Sequence, residues 1–145
     1  MEKKQAFADA STQKYELLSY FYQLLAQLAD SKQSTYLQRE KKALIVPAVD
    51  YLAEHLFDAE IRISDLHLLC GSSAPTFRRI FTASFGAPPR KYVILQRMKQ
   101  AKAMLESGEQ TSITAIAAAT GFNDPLYFSR LFKAHFHVPP SQAKN

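Results

Sequence analysis

The second half of this chain repeats itself, and an internal repeat restricts the possible folds more than any local propensity does. At an offset of fifty, Ile63 aligns with Ile113, Ser64 with Thr114, Leu66 with Ile116 and Gly71 with Gly121. After one inserted residue the offset becomes fifty-one. Phe77 then meets Phe128, Arg79 meets Arg130, Ile80 meets Leu131 and Phe81 meets Phe132. Further on, Phe85 meets Phe136, and Pro88-Pro89 meets Pro139-Pro140. So many matches across a single gap identify two copies of one supersecondary unit.

Each copy reads as helix, tight turn, helix. In the second, Ile113, Ile116 and Ala117 fall at i, i+3 and i+4, one apolar face of a short helix. Gly121 follows where a left-handed residue closes a helix, a conformation glycine adopts without steric cost. Asn123-Asp124 offers an N-cap for the next helix, and Pro125 is tolerated in its first turn. Phe128, Leu131 and Phe132 repeat the apolar spacing. The first copy has Leu66, Gly71, a Ser73 cap, Pro75 in the first turn, then Phe77, Ile80 and Phe81. Two short helices around a Gly-containing turn make a helix-turn-helix.

Helical hairpins of ordinary bundles share that outline. The polar faces of the two second helices separate the readings. Thr76, Arg78 and Arg79 lie opposite the aromatic stripe in the first copy, and Ser129, Arg130 and Lys133 in the second. Basic and hydroxyl side chains on such a face suit a helix in a DNA major groove, while Phe77, Phe81, Phe128 and Phe132 are core. Between the copies, Arg90 to Leu105 contains no Gly or Pro. Ile94, Met98, Ala101 and Leu105 form a narrow apolar seam, with Arg97, Lys99 and Lys102 outside it. A helix of this size, about 24 Å long, can carry two reading helices along one side of a duplex. Adjacent major-groove segments recur every ~34 Å.

Charge agrees with this division. The net charge is +5, but residues 1–62 hold 8 Lys/Arg against 9 Asp/Glu, whereas residues 63–145 hold 10 against 4. The repeated half is the one suited to a polyanion. The single Cys70 excludes a disulfide framework and fits a reducing cytoplasm. Its place before Gly71 on the apolar side predicts a small buried hydrophobe rather than a reactive thiol. The chain has no run of eighteen apolar residues. His135 and His137 stand two apart and cannot share a helix face, and no nucleophile-base pair, zinc spacing or phosphate-binding glycine loop is present. The expectation is a cytoplasmic protein without catalysis, metal or cofactor.

The run Gly121-Phe122-Asn123-Asp124-Pro125-Leu126-Tyr127-Phe128-Ser129-Arg130-Leu131-Phe132-Lys133 closely resembles the signature of AraC/XylS-type bacterial transcription regulators. Ile116-Ala117, Arg97 with Ala101, Met104-Leu105, and Gly86 to Pro89 with Tyr92 resemble it too. The resemblance covers about residues 45–142. It implies two helix-turn-helix units on a long helix and sequence-specific binding of double-stranded DNA. It also implies activation of transcription through contact with RNA polymerase. By position, it implies that Pro75, Arg78 and Arg79 face bases in the first unit, and Leu126, Ser129 and Arg130 in the second. Arg130 is open to two readings, a phosphate contact or a role in the fold. Pro125 and Leu126 bring no base-edge donors, so discrimination is expected to rest more on the first unit. Two departures stand out. His67 replaces a small residue packed in the first turn, and His137 replaces the glycine that Gly86 supplies in the first unit.

The expected fold is all-α. Residues 1–45 form a helical segment, and 46–145 the DNA-binding domain. Its helix-turn-helix units span about 61–84 and 111–135, with the linking helix at about 90–106. Lys99 and Lys102, on the linking helix, are expected to touch DNA without reading bases. Tyr15, Leu18, Phe21, Tyr22, Leu25 and Leu28 make an amphipathic stripe. Either that stripe links the chain, as the C-terminal piece of a longer regulator, to a sensing and dimerising domain or itself makes a homodimer, or it folds onto residues 47–60. A different class of function, a module that binds a protein partner with DNA incidental, shares the same helices.

Overall fold

The computed structural model describes Tyr22 and residues 36–108 and 112–143, and among these every regular element is helical. Helix α1 spans Tyr36–Leu44 and α2 spans Val46–His55, with Pro47 in its first turn, where a missing N–H leaves no bond unmade. A 3-10 turn over Ile63–Asp65 leads into the four-residue α3, Leu66–Leu69. Then come α4 (Ala74–Phe85), α5 (Pro89–Ser107), α6 (Ile113–Ala119) and α7 (Pro125–Phe136), with a last 3-10 turn at Pro140–Gln142.

The apolar stripes sort these helices around two cores. Ile45, Val49, Leu52, Leu66, Phe77, Phe81 and Val93 are buried together in the first. Met98, Ala101, Leu105, Ile116, Ala117, Phe128 and Phe132 make the second. Phe81, Phe128 and Phe132 are wholly buried, each contributing about 1.5–3 kcal/mol of transfer free energy. The phenylalanine stripe is core in both units, as its spacing requires.

Helix α5 belongs to both cores. Val93 near its start packs in the first, while Met98, Ala101 and Leu105 pack in the second. At roughly 100° per residue, Val93 and Met98 point about 140° apart around the helix. The seam anticipated from sequence is therefore the half facing the second unit, with Ile94 at its half-buried edge. The two helix-turn-helix units grip different sides of one shaft.

Helix α1 packs against α2 and α4, so the first core reaches back to Leu44 and Ile45. Of the N-terminal stripe, Tyr15, Leu18, Phe21, Leu25 and Leu28 lie outside the described residues. Tyr22 is exposed, and its hydroxyl donates to Asp50 Oδ1 of α2 at 3.3 Å. The Asp50 charge pushes the Tyr22 phenol up from its ordinary value.

Candidate nucleic-acid interface

The two turns are built alike. After α3, Gly71 N–H donates to the Leu68 carbonyl and Ser72 N–H to that of His67. After α6, Gly121 and Phe122 make the same bonds to Ala118 and Ala117. This pair of bonds, with a left-handed glycine between them, is a Schellman closure. Gly71 has φ +56° and Gly121 φ +84°.

Each reading helix then starts from a capped end. Ser73 Oγ accepts from Thr76 N–H at 3.3 Å and donates to Thr76 Oγ1 at 2.9 Å. Asp124 Oδ1 accepts from Leu126 and Tyr127 N–H at 2.8 and 3.2 Å, holding the start of α7 more firmly. The helices end alike as well. Gly86 (φ 75°) and His137 (φ 65°) are both left-handed, and their N–H groups reach Thr82 and Lys133 carbonyls at 2.8 Å. His137 thus performs the backbone task of the missing glycine. His67 is accommodated at the edge of α3, half-buried, its Nδ1 donating to the Ser64 carbonyl at 2.8 Å.

Pro75, Arg78 and Arg79 lie on the solvent side of α4, with Thr76 half-buried beside the cap. On α7, Leu126 is 74% exposed, Arg130 and Lys133 are exposed, and Ser129 is half-buried. Arg130 Nε turns back to the Leu126 carbonyl at 3.4 Å, a weak bond that leaves the outer guanidinium nitrogens on the surface. Lys99 is exposed on α5. Lys102, by contrast, is engaged within the fold, 3.6 Å from Glu106 Oε1 and 5.1 Å from the Phe136 ring centroid. Cys70 is buried as expected, and desolvation pushes its thiol above the ordinary range.

Arg97, though outside the apolar seam of the linking helix, is buried. It is 7% exposed. Lying one turn after Val93, it falls on the strip of α5 between the two cores. Nε donates to the Leu56 carbonyl, Nη1 to Gly121 and Nη2 to Asp58, all at 2.7 Å. The Phe122 ring lies 5.6 Å from its Cζ. Beside it, Asn123 Nδ2 donates to Glu60 Oε1 at 3.0 Å. Burial lowers the Arg97 pKa and the Asp58 charge opposes that shift, but a guanidinium keeps its proton in a protein.

Residues 69–145 match the family model of a helix-turn-helix domain. The chain belongs to the AraC-type helix-turn-helix family. It is 27% identical over 128 residues to the Msm operon regulatory protein of Streptococcus mutans, covering 87% of this chain and 46% of that protein. It is 27% identical over 129 residues to the transcriptional activator RhrA of Rhizobium meliloti, covering 88% and 41%. This chain therefore spans less than half the length of these curated relatives. Among solved structures, the DNA-binding domain of AdpA in complex with a target DNA superposes with a TM-score of 0.61. The identity is 26%, over 68% of this chain and 86% of that one.

In this AraC-type chain the fold brings Pro75, Arg78 and Arg79 to the surface of one reading helix. It brings Leu126, Arg130 and Lys133 to the equivalent surface of the other. Sequence reading missed the joint between the units, made by residues 56–60, Arg97 and the turn at 120–123. A signal was available for Arg97. Val93, Ile94, Met98 and Ala101 flank it at helical spacing, which puts it inside the apolar arc of the helix. Among the described residues, no group of His, Cys, Asp or Glu gathers as a metal site, and no helix is long and apolar enough to cross a membrane.

Proposed function

We infer that the chain binds double-stranded DNA sequence-specifically and regulates bacterial transcription, each unit placing its second helix in a major groove. The observation that carries this reading is the pair of capped reading helices with exposed Arg78 and Arg79 on one and Leu126 and Arg130 on the other. The likeness to a DNA-bound domain and to a named transcriptional activator supports it. Pro75, Thr76, Arg78 and Arg79 would meet the first groove segment, and Leu126, Ser129, Arg130 and Lys133 the second, with Lys99 on phosphate. Leu126 has a thymine methyl as its natural partner, since an apolar side chain reads only that group in the major groove. The protein acts in the cytoplasm, without catalysis.

Activation through RNA polymerase follows from the same reading. Leu68 (66% exposed) and Leu69 (47%) stand side by side on α3, an apolar surface suited to a protein partner. Dimerisation, through residues 10–30 or through a further domain, belongs to the same reading.

Selection of bound sites from random duplex DNA, followed by competition at several salt concentrations, tests the reading. Arg78→Ala or Arg79→Ala is expected to weaken the selected site by ~1–3 kcal/mol while sparing scrambled duplex. Lys99→Ala should weaken both alike and lower the salt slope by about one unit. Binding without sequence preference or salt dependence would replace this reading with that of a protein-interaction module.

A further inference from the structure

A buried cation without an anionic partner is costly, and evolution has cheaper ways to fill a helix interface. Among the described residues no carboxylate lies within ion-pair distance of Arg97, and its three partners are all backbone carbonyls. Those carbonyls have something in common. Leu56 caps the C-terminal end of α2, Asp58 lies two residues beyond it, and Gly121 lies just past the C-terminal end of α6. The Leu56 carbonyl, at the end of α2, lacks an intrahelical partner and lies at the negative pole of that helix. One planar guanidinium therefore ties the segment that follows α2 to the turn that follows α6, one from each unit, and its fork geometry constrains their relative direction.

The surroundings tighten the same joint. A methyl group at Gly121 would lie 2.7 Å from Arg97 Cζ and 2.9 Å from the Phe57 carbonyl oxygen, so the two backbones touch through the glycine. The Asn123–Glu60 bond spans the same gap from outside. The two cores also share α5, and a helix alone bends and twists.

The geometry points to Arg97 as a positioning residue that sets the offset between the two reading helices, and thereby the base-pair spacing that the chain accepts between its two DNA segments. This rests on the reading that both units engage DNA. The leverage is large. Helix α7 is roughly 18 Å long, so a ~10° rotation about the joint moves its far end by ~3 Å, close to the 3.4 Å rise of one base step.

The test uses the whole chain and a series of duplexes carrying the selected site with one or two base pairs inserted or removed between the contacted segments. Wild-type protein should lose roughly 100-fold in affinity when the spacing changes by one base pair, as half its base contacts fall out of register. Arg97→Met should bind the original spacing more weakly and flatten that penalty to under ~10-fold, with both segments still protected in footprints. Arg97→Lys keeps the charge without the fork, and should fall between. Glu60→Ala, which removes an exposed bond across the same joint, should flatten the penalty in the same direction whether or not the Arg97 variants fold. Variants that lose affinity equally at every spacing would overturn the proposal while leaving DNA binding by both units intact. A wild-type footprint confined to one segment would overturn both this proposal and the two-unit reading beneath it.

Discussion

Replacing Gly121 by alanine separates two reasons for a glycine that usually act together. The first is conformational. At φ +84° an L-residue is strained by ~1–2 kcal/mol. The second is spatial. The added Cβ would meet Arg97 Cζ at 2.7 Å and Arg97 Nε at 3.0 Å, where a side chain can move, but also the Phe57 carbonyl oxygen at 2.9 Å, where backbone must shift. Displacing the guanidinium weakens charged hydrogen bonds worth ~1.5–3 kcal/mol each. The sum for Gly121→Ala is about 2.5–5 kcal/mol if one such bond is lost. Gly71 provides the internal control. It closes the equivalent turn with φ +56°, and nothing stands within 4 Å of the site of a Cβ. Gly71→Ala should therefore cost only the strain, ~1–2 kcal/mol. For a domain near 100 residues this difference is visible by thermal melting, because each kcal/mol lowers Tm by roughly 4–8 °C. Gly121→Ala should melt roughly 6–24 °C below Gly71→Ala, and should release Arg97 contacts detectable by exchange of its side-chain protons. Equal Tm shifts in the two variants would refute the tight joint.

Three further outcomes follow from local geometry. His137→Gly should raise stability by ~1 kcal/mol, since the imidazole occupies a left-handed position that glycine takes without strain; a lower Tm would mean the side chain contributes more than its backbone costs. Asp124→Ala should lose ~1 kcal/mol, and Ser112→Ala distinctly less, because the Ser112 bond to Ala115 N–H is 3.4 Å long; urea melts rank the two. Cys70 should alkylate more slowly than a free thiol at pH 8, because a raised pKa leaves less thiolate at any given pH. Urea should abolish that protection, and fast labelling of the native protein would show the first core to be open there.

What the sequence made legible was what short-range chemistry encodes. The Phe77/Phe81 and Phe128/Phe132 spacing, the Ser73 and Asp124 caps, and Gly121 each satisfy needs within about one helical turn, and each stands where its pattern demands. Even His137 was legible, because the repeat shows which glycine it replaces. Arg97 was not. Its partners are 24 to 41 residues away, and they are main-chain carbonyls, which every residue possesses and no motif advertises. Val93 escaped notice for a related reason. A single seam describes a helix with one neighbour, and α5 has two on different sides.

The unlike surfaces of α4 and α7 have a consequence for the DNA. A two-fold dimer of identical reading heads asks for a palindrome and cannot tell one end of it from the other. This chain carries Pro75, Arg78 and Arg79 on one head and Leu126, Ser129 and Arg130 on the other, fixed in order along one shaft. On the reading proposed above, a single copy needs no symmetry in its site and has only one way round on it. Reversing the site within a promoter would turn the protein to face the opposite way, carrying Leu68 and Leu69 to the other flank.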